Sequence, residues 1–277
     1  MSKLTPLPMA VLSVAFVALL TFSSCRKVYD YIRDHPDAHD TLCRITQIRV
    51  MQPYGVADTF NFNYNARGNP ISMLKSNHFG IIINFDLYFR YDNQDRLTDF
   101  IFAYEGSSFV IGWDKFGYPR KNFITDSNMV VNGQTPDGPA PVRDHTNIYG
   151  YTMDAFGRIA KGYIVSDNPN EPPVFSYDAI YYANGNQPPP GPGLTYDNKV
   201  NLYSTNKIWQ FIFKDYSRNN LVPRDPSLAR PTYNTFFLPV TYPNIEALNA
   251  SFFFLRNFDS TMYISYACSM PKGPINY

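Results

Sequence analysis

The stretch Phe89-Arg90-Tyr91-Asp92-Asn93-Gln94-Asp95-Arg96-Leu97 decides the fold, because it reads as the end of one β-strand, a tight turn and the start of the next strand. Asp92 follows a large aromatic residue and can accept hydrogen bonds from backbone amides two residues further on. Asp95 stands where such a turn needs a left-handed backbone, which Asp tolerates better than most residues. The stretch therefore predicts a β-hairpin, and we call the segment from Tyr91 to Leu97 a turn motif.

Related turn motifs recur along the chain. Most copies have Gly three residues after the Asp or Asn, where a positive φ carries no Cβ penalty. The further copies are Tyr64 with Gly68, Trp113-Asp114 with Gly117, Met153-Asp154 with Gly157, and the opening pair Tyr196-Asp197. Repetition of the motif predicts a row of hairpins.

The segments before these turns alternate between apolar and polar residues. Phe60, Phe62 and Tyr64, for example, are interleaved with asparagines. A period of two places one face of a strand in a core and the other in water. The pattern predicts a mainly all-β fold, an antiparallel β-meander of repeated hairpins in a twisted open sheet.

One segment in the C-terminal half changes to helical spacing. Its apolar residues are Ile208, Trp209, Ile212, Phe213 and Tyr216. We expect a helix near residues 205–217, capped by Ser204-Thr205 and packed on the sheet. The alternative is that its apolar stripe binds a partner.

The first 24 residues predict a signal peptide. Lys3 is followed by an apolar run from Met9 to Phe22, which is too short for a stable membrane-spanning helix and suits a signal-peptide core. The run ends in Phe22-Ser23-Ser24-Cys25, which resembles the lipobox of bacterial lipoproteins, with Phe22 in place of the usual aliphatic residue. The resemblance implies that Cys25 is acylated and holds the exported chain on a membrane. The alternative is an ordinary cleaved signal peptide.

Residues 25–41 are polar and charged, and we expect them to form a tether between the lipid and the domain. His35 and His39 stand four residues apart among aspartates, a spacing that would suit a metal site on a helix. Pro36 lies between them and disfavours that helix. We therefore expect a solvated tether without a metal.

Two cysteines remain if Cys25 is acylated. Cys43 lies in the first strand-like run and Cys268 in the last, and export places them where disulfides persist. We expect a Cys43–Cys268 disulfide that joins the two ends of the domain. The alternative is two buried free thiols that only pack.

Length and composition set limits on the class of protein. The chain has 277 residues and a formal net charge of +1, so it offers no basic field for nucleic acid. Aromatic residues make up 17 % of the chain, which suits strand interiors. We expect residues 42–277 to form a single domain.

Two of the turn motifs are similar to the YD or RHS-type repeat, whose core is Tyr-Asp, two variable residues and Gly-Arg-Leu. They are Tyr91-Asp92 followed by Asp95-Arg96-Leu97, and Met153-Asp154 followed by Gly157-Arg158-Ile159. With the lipobox and the terminal cysteines, the chain resembles repeat-containing lipoproteins of Bacteroidota that are assigned to domains of unknown function. The resemblance implies a β-sheet lipoprotein of the cell envelope, held at the outer membrane on a face that the sequence leaves open. It supplies no catalytic residues.

Sequence signatures of catalysis are missing. The chain has no Gly-x-Ser-x-Gly elbow, phosphate loop, dinucleotide fingerprint or His-Glu-x-x-His motif. Its three glutamates, Glu105, Glu171 and Glu246, are not spaced as an acid–base pair, and His78 and His145 are isolated. The turn-motif aspartates could ligate Ca²⁺, but turn chemistry already accounts for them. We expect no catalytic residue, no cofactor and no metal.

The expected role is that of a non-enzymatic, lipid-anchored envelope protein with a structural or protein-interaction function. The alternative is a surface glycan-binding lipoprotein whose exposed aromatic rings stack on sugars, and a hydrolase with a site scattered over loops is a third hypothesis. Four aromatic residues separate the first two hypotheses: Tyr88, Tyr104, Trp113 and Tyr181. An exposed coplanar row favours sugar binding, and uniform burial favours a scaffold.

Overall fold

The computed structural model describes residues 43–51, 57–76, 85–106, 109–131, 133–141, 145–166, 168, 170–243 and 261–268. All of them belong to a compact unit that spans Thr41–Tyr277. The predicted signal peptide, Cys25, the tether and the histidines in it lie outside the described residues, so the expectations placed on them stay predictions.

The regular structure of these residues consists of strands, one α-helix and one short 3-10 helix. The strands are β1 (Cys43–Met51), β2 (Ala57–Tyr64), β3 (Pro70–Lys75), β4 (Phe85–Tyr91), β5 (Leu97–Tyr104), β6 (Val110–Arg120), β7 (Phe123–Met129), β8 (His145–Met153), β9 (Ile159–Val165), β10 (Val174–Asp178), β11 (Leu194–Val200), β12 (Asn219–Pro223), β13 (Thr232–Tyr233), β14 (Pro239–Tyr242) and β15 (Thr261–Cys268). The 3-10 helix spans Leu202–Thr205, and the α-helix, α1, spans Lys207–Phe213.

The strands build one antiparallel sheet of 13 strands and a separate ribbon of β11 with β12. From β1 to β10, each strand pairs with the next one in the chain, so these strands form a meander. After β12 the chain returns to the other side of β1, where β15, β14 and β13 follow in that order. The predicted open antiparallel sheet of hairpins with one helix is confirmed, and the position of the last three strands is new.

The turn between β4 and β5 closes through one carboxylate. Asp92 Oδ1 accepts hydrogen bonds from the amides of Gln94 (2.9 Å) and Arg96 (3.0 Å), and Asp95 has a φ of 59°. In three other turns the side chain of Asn65, Asp154 or Asn234 likewise accepts hydrogen bonds from the amides two and four residues further on. The motif therefore works as a side-chain cap on a tight turn.

The predicted turn at Trp113 is wrong. Trp113, Asp114 and Gly117 all lie inside β6, and the turn to β7 comes later, at Asn122, whose φ is 58°. Trp113 is fully buried, and its indole Nε1 donates to Asp99 Oδ1 in β5 (2.8 Å). This contact continues the pairing of β5 and β6 through the place where the motif predicted a turn.

The predicted turn at Tyr196-Asp197 is also wrong, because both residues lie inside β11. Asp197 Oδ1 accepts hydrogen bonds from the amides of Lys199 (2.9 Å) and Asn220 (3.1 Å). The side chain caps amides here too, but one of the two belongs to the partner strand β12. The carboxylate therefore joins the ribbon across its strands instead of turning the chain.

A second repeated feature is a tyrosine hydroxyl that binds the start of the neighbouring strand. Tyr91 Oη donates to the carbonyl of Pro70 (2.7 Å), and Tyr118 Oη donates to the carbonyl of Leu97 (2.8 Å). The same bond joins Tyr181 to Ile159 and Tyr266 to Pro239. Burial raises the pKa of Tyr118 and of Tyr181 to about 12, so these hydroxyls keep their protons at neutral pH.

The helix is shorter than predicted. Asn206 caps α1, since its Oδ1 accepts a hydrogen bond from the amide of Ile208 (2.8 Å), and Ser204 and Thr205 belong to the preceding 3-10 helix. Lys214 ends the helix in the left-handed conformation, with a φ of 54°. The side-chain amide of Asn competes successfully for the capping position because it reaches the exposed amides of the first turn.

Two aromatic residues of α1 pack on one face of the sheet. Trp209 meets Phe62 and Phe89 edge to face, with ring centroids 5.6 and 5.3 Å apart. The ring centroid of Phe211, a residue that the predicted apolar stripe did not include, lies 5.3 Å from that of Phe116. The predicted packing of the helix on the sheet is confirmed, and we call this side of the sheet the helix face.

The opposite face has a smaller core around Trp113. Its buried members are Ile101, Ala103, Val110, Trp113 and Met129. Residues 133–141 cover part of this face, and the guanidinium of Arg90 donates to the carbonyl of Pro136. Nearer to β1 the same face is polar, as shown by the hydrogen bond from Gln47 to Asn61 (3.0 Å).

The first and last described strands lie side by side. Cys43 in β1 is the register partner of Cys268 in β15, with their Cα atoms 3.8 Å apart. The structure joins the two residues by a disulfide. The bond closes a sequence separation of 225 residues, so it ties the start of the sheet to its end.

Candidate functional site

A groove of about 580 Å³ lies beside α1, next to the end of the meander. Three stretches of chain form most of its walls: residues 177–181, 187–190 and 213–215. The volume falls within the roughly 300–1,000 Å³ that is common for small-molecule sites. The groove is therefore the candidate functional site.

Tyr177 forms one wall of the groove with 42 % of its surface exposed. Its ring lies across Gly162 of the neighbouring strand β9. A Cβ atom at position 162 would overlap the ring and lie 2.6 Å from Tyr177 Cζ. Glycine is thus required at this position for the ring to lie against the strand.

Two further tyrosines of the groove, Tyr181 and Tyr196, are held by their hydroxyl groups. Tyr181 Oη donates to the carbonyl of Ile159 (2.9 Å), and the guanidinium carbon of Arg158 lies 4.0 Å from the Tyr181 ring centroid. Tyr196 Oη lies 3.0 Å from Ser217 Oγ. These contacts fix both rings before any ligand arrives.

The proline wall is tied to the end of α1 by one side chain. Gln187 Nε2 donates to the carbonyl of Lys214 (3.2 Å), and its Oε1 accepts from the amide of Tyr216 (3.2 Å). The backbone amide of Gln187 also donates a hydrogen bond, to Ser217 Oγ (3.2 Å). Pro188, Pro189 and Pro190 follow directly and present apolar rings to the groove.

Lys214 lines the groove and points its ammonium group at the sheet. Its Nζ lies 4.0 Å from the ring centroid of Phe211 and 4.1 Å from that of Tyr151. Asp126 Oδ2 is 3.9 Å away. Burial lowers the pKa of Lys214 to about 8, and the nearby carboxylates oppose this shift.

Two carboxylates lie on the helix face below Lys214. Burial raises the pKa of Asp126 to about 6, an effect that the charge of Lys214 opposes. Burial also raises the pKa of Asp114, which accepts a hydrogen bond from Asn128 Nδ2 (2.9 Å). The two aspartates raise each other's cost of ionisation because like charges repel.

Two other carboxylates, those of Asp215 and Asp178, line the groove itself. Asp215 accepts hydrogen bonds from the amide of Ser217 (2.8 Å) and from Asn201 Nδ2 (3.2 Å), and burial raises its pKa. Asp178 is exposed and lies 3.7 Å from Lys161 Nζ. The groove thus combines aromatic and proline rings with acidic groups.

The four aromatic residues chosen to separate the functional hypotheses give a mixed result. Trp113 is fully buried and Tyr88 is partly buried, so they form no exposed platform. Tyr104 is 49 % exposed and stacks on Phe109 with centroids 5.9 Å apart. Tyr181 lines the groove. These four residues therefore form neither one exposed row nor a uniformly buried set.

Most of the predicted turn-motif residues serve the sheet and lie away from the groove. Tyr196 is the member of that set that lines it. The residues that sit at or next to the sheet turns are Tyr64, Gly68, Tyr91, Asp92, Asp95, Met153, Asp154 and Gly157. Their role in the structure is to close hairpins.

A buried cluster of charges lies at one end of β2, β3 and β5. Lys75 Nζ is 3.1 Å from Asp58 Oδ1 and 3.1 Å from Glu105 Oε2. Asp86 Oδ1 accepts a hydrogen bond from the Lys75 amide (2.9 Å). Opposite charges and backbone donors compensate one another here, so the cluster is an internal part of the fold.

The described residues hold no group of three or more His, Cys, Asp or Glu side chains that could bind a metal ion. In the part of the chain that the structure covers, no helix has the length and apolar character needed to cross a membrane. Glu171 is fully exposed and accepts a hydrogen bond from Asn168 (3.1 Å). Glu246 and His78 lie outside the described residues.

Signals for the groove in the sequence are weak, and most of the groove residues were not predicted from it. Lys214 and Asp215 fall in the last turn of the predicted helix, where an exposed polar end is the usual expectation. Gln187 precedes a run of prolines that predicts a loop. Tyr177 looks like any other strand tyrosine. Their convergence depends on long-range packing.

Comparison with protein-family models finds no match to this chain, and no curated protein matches it either.

Proposed function

We propose that the protein is an exported, lipid-anchored protein of the cell envelope that binds carbohydrate in the groove and carries out no catalysis. The observation that carries the proposal is the groove lined by tyrosine and proline rings with carboxylates among them. Export and the lipid anchor are supported by the predicted signal peptide and the lipobox resemblance at Cys25. The groove favours glycan binding over a purely structural role.

The chemistry of the walls suits a sugar. A pyranose ring has apolar C–H faces and a rim of hydroxyl groups, and tyrosine offers a flat apolar ring that ends in a polar hydroxyl. Tyr177 and Pro189 supply apolar surface, while Asp178 supplies an acceptor for hydroxyl donors. Apolar walls with a few placed polar groups are the usual design of small-molecule sites.

The walls are also held in place without a ligand. Tyr181 and Tyr196 have their hydroxyl groups bonded, and Gln187 connects the proline wall to the residues that follow α1 through three hydrogen bonds. A ligand that enters therefore orders few side chains. Low ordering cost leaves more of the contact energy for affinity.

Binding to a panel of polysaccharides tests the proposal, with the mature acylated protein held in detergent micelles. For a polysaccharide that binds, we expect Tyr177→Ala to weaken the affinity about tenfold, because a stacking ring is lost. Tyr104→Ala is the matched control, since Tyr104 is exposed to a similar extent and lies outside the groove. No binding across the panel, or equal losses in both variants, would contradict carbohydrate binding in the groove.

A second candidate function is the docking of a protein at β10. Every residue of this strand is exposed, and β10 stands at the end of the 13-stranded sheet. Val174 is 65 % exposed and Phe175 52 %, and their neighbour Ile164 in β9 is 53 % exposed. An apolar sheet edge favours the addition of a strand from a partner chain.

Photo-crosslinking in living cells tests this second candidate. A crosslinking amino acid at position 174 is expected to give one discrete adduct with a protein, and the same amino acid at position 156 is not. Phe156 is a suitable control because it is 64 % exposed and lies in the turn between β8 and β9, at the opposite end of β9 from Ile164, the register partner of Val174. Adducts of the same pattern from both positions would remove the case for docking at β10.

A further inference from the structure

The geometry points to a groove that accepts uncharged glycans and excludes glycans that carry carboxylate groups. This inference rests on the proposed carbohydrate binding and names the class of sugar. Among the described residues that line the groove, Lys214 is the one cation, whereas Asp178 and Asp215 are both carboxylates. The balance of charge in the groove is therefore acidic.

Lys214 is already engaged by the protein. Its ammonium group lies over the rings of Phe211 and Tyr151, at 4.0 and 4.1 Å from their centroids, and 3.9 Å from Asp126 Oδ2. Its side chain is 32 % exposed. A ligand carboxylate would have to draw the ammonium away from two aromatic faces and one protein carboxylate to bind it. The groove thus meets mainly the aliphatic stem of this side chain.

The carboxylates around the lysine outnumber it. Asp126 faces Lys214 directly, and Asp114 interacts electrostatically with both of them. Asp215 accepts hydrogen bonds from uncharged donors, namely the amide of Ser217 and Asn201 Nδ2. An anion that entered the groove would be repelled by these groups.

The same carboxylates favour the binding of uncharged sugars. A hydroxyl of the sugar can donate to a carboxylate, and such charge-assisted hydrogen bonds are the stronger kind. Asp178 is suited to this role because its side chain is 61 % exposed at the groove and its contact with Lys161 Nζ is long, at 3.7 Å. The acidic groups therefore favour sugar hydroxyls and oppose sugar carboxylates.

The competing possibility is that Lys214 recognises an acidic sugar. A lysine at the wall of a groove is a frequent anion contact, and no other cation is found among the lining residues in the part of the chain that the structure describes. The two possibilities predict opposite orders of affinity for a charged glycan and its uncharged counterpart. They also predict opposite effects when the lysine charge is removed.

The test compares polygalacturonate, alginate and hyaluronate with their carboxyl-reduced forms, in which each carboxylate has become a primary alcohol. Binding to the mature acylated protein is measured at low and high salt. We expect the carboxyl-reduced forms to bind about tenfold or more tightly than the parents at low salt, with a smaller ratio at high salt. Asp178→Asn is expected to reduce the ratio, because it removes one repelling charge from an exposed position, where the fold is not at risk.

Lys214→Met supplies the second arm. It keeps an apolar stem and removes the positive charge, so we expect the preference for the carboxyl-reduced forms to widen. Tighter binding of the parent polysaccharides that Lys214→Met abolishes would overturn the inference and leave carbohydrate binding standing. Equal affinity for parent and reduced forms would overturn it in the same way. Failure of every glycan to bind would instead contradict the proposed function, and the inference with it.

Discussion

Gly162 controls the position of Tyr177, the most exposed aromatic residue of the groove. Tyr177 lies across Gly162 of the adjacent strand, and a Cβ atom there would overlap the ring. At this point β10 carries a bulge, since the register shifts between Phe175 and Tyr177. The bulge turns Tyr177 to the groove, and the missing side chain at position 162 gives it room to lie flat.

We expect Gly162→Val to displace the Tyr177 ring and to weaken glycan binding about as much as Tyr177→Ala does. The overpacked contact should also lower the free energy of unfolding by about 1–3 kcal/mol. Urea unfolding and glycan affinity are the two measurements. Gly191→Ala is the control, because a Cβ atom at position 191 meets nothing within 4 Å. Unchanged affinity in Gly162→Val would show that the ring position is not needed.

At the scale of single elements, each hairpin is encoded locally, and that is why the sheet could be predicted from the sequence. Asp92 and Asp154 cap amides within four residues of themselves, so no distant part of the chain is needed to form the turn. The same local rule failed at Trp113, where the indole is buried and bonded to Asp99 in the neighbouring strand. Tertiary packing of one large side chain outweighed the preference of a turn sequence.

The tyrosine hydroxyl bonds add a second rule that was not recognised in the sequence. Tyr91 and Tyr118 each follow by 21 residues the carbonyl that they bind, at Pro70 and Leu97. A tyrosine that follows the first residue of a strand by about the length of one hairpin could therefore have predicted this hydroxyl-to-carbonyl bond. Met153 stands at the equivalent end of β8 and has no hydroxyl, so the rule holds only for part of the repeats.

We expect Tyr91→Phe to lower the free energy of unfolding by about 1–2 kcal/mol, because the buried carbonyl of Pro70 loses its donor. Tyr263→Phe is the matched control, since Tyr263 is a strand tyrosine that is 45 % exposed. Chemical denaturation of both variants measures the difference. Equal stability of the two variants would show that the hydroxyl bond adds nothing to the hairpin.

At the scale of the whole molecule, the order of the strands and the groove depend on contacts between distant parts of the chain. The sequence placed the last strands in the domain but did not show that β15 pairs with β1. The groove joins residues 177–181 to residues 213–215 through the ribbon and α1. No local sequence pattern predicts how these distant segments come together, because each wall of the groove is explained by its own local structure.

The Cys43–Cys268 disulfide acts at this scale. In the chain-entropy model, closing a loop of 225 residues contributes about 5 kcal/mol, and the value is smaller if the unfolded chain is compact. We expect replacement of both cysteines by serine to lower the free energy of unfolding by up to about this amount. Urea unfolding of the variant and of the native protein with and without reductant makes the measurement. Native protein that is equally stable in both conditions would show that the disulfide is absent or without effect.

The strand order also sets a distance. β10 stands nine strand positions from β1, and at about 4.8 Å per position the sheet spans roughly 43 Å between them. The Cys43–Cys268 disulfide joins β1 to β15, while the groove opens at the β9–β10 side. The intervening strands therefore act as a spacer that keeps the closed ends of the chain away from the groove, so changes at the disulfide need not disturb the groove walls.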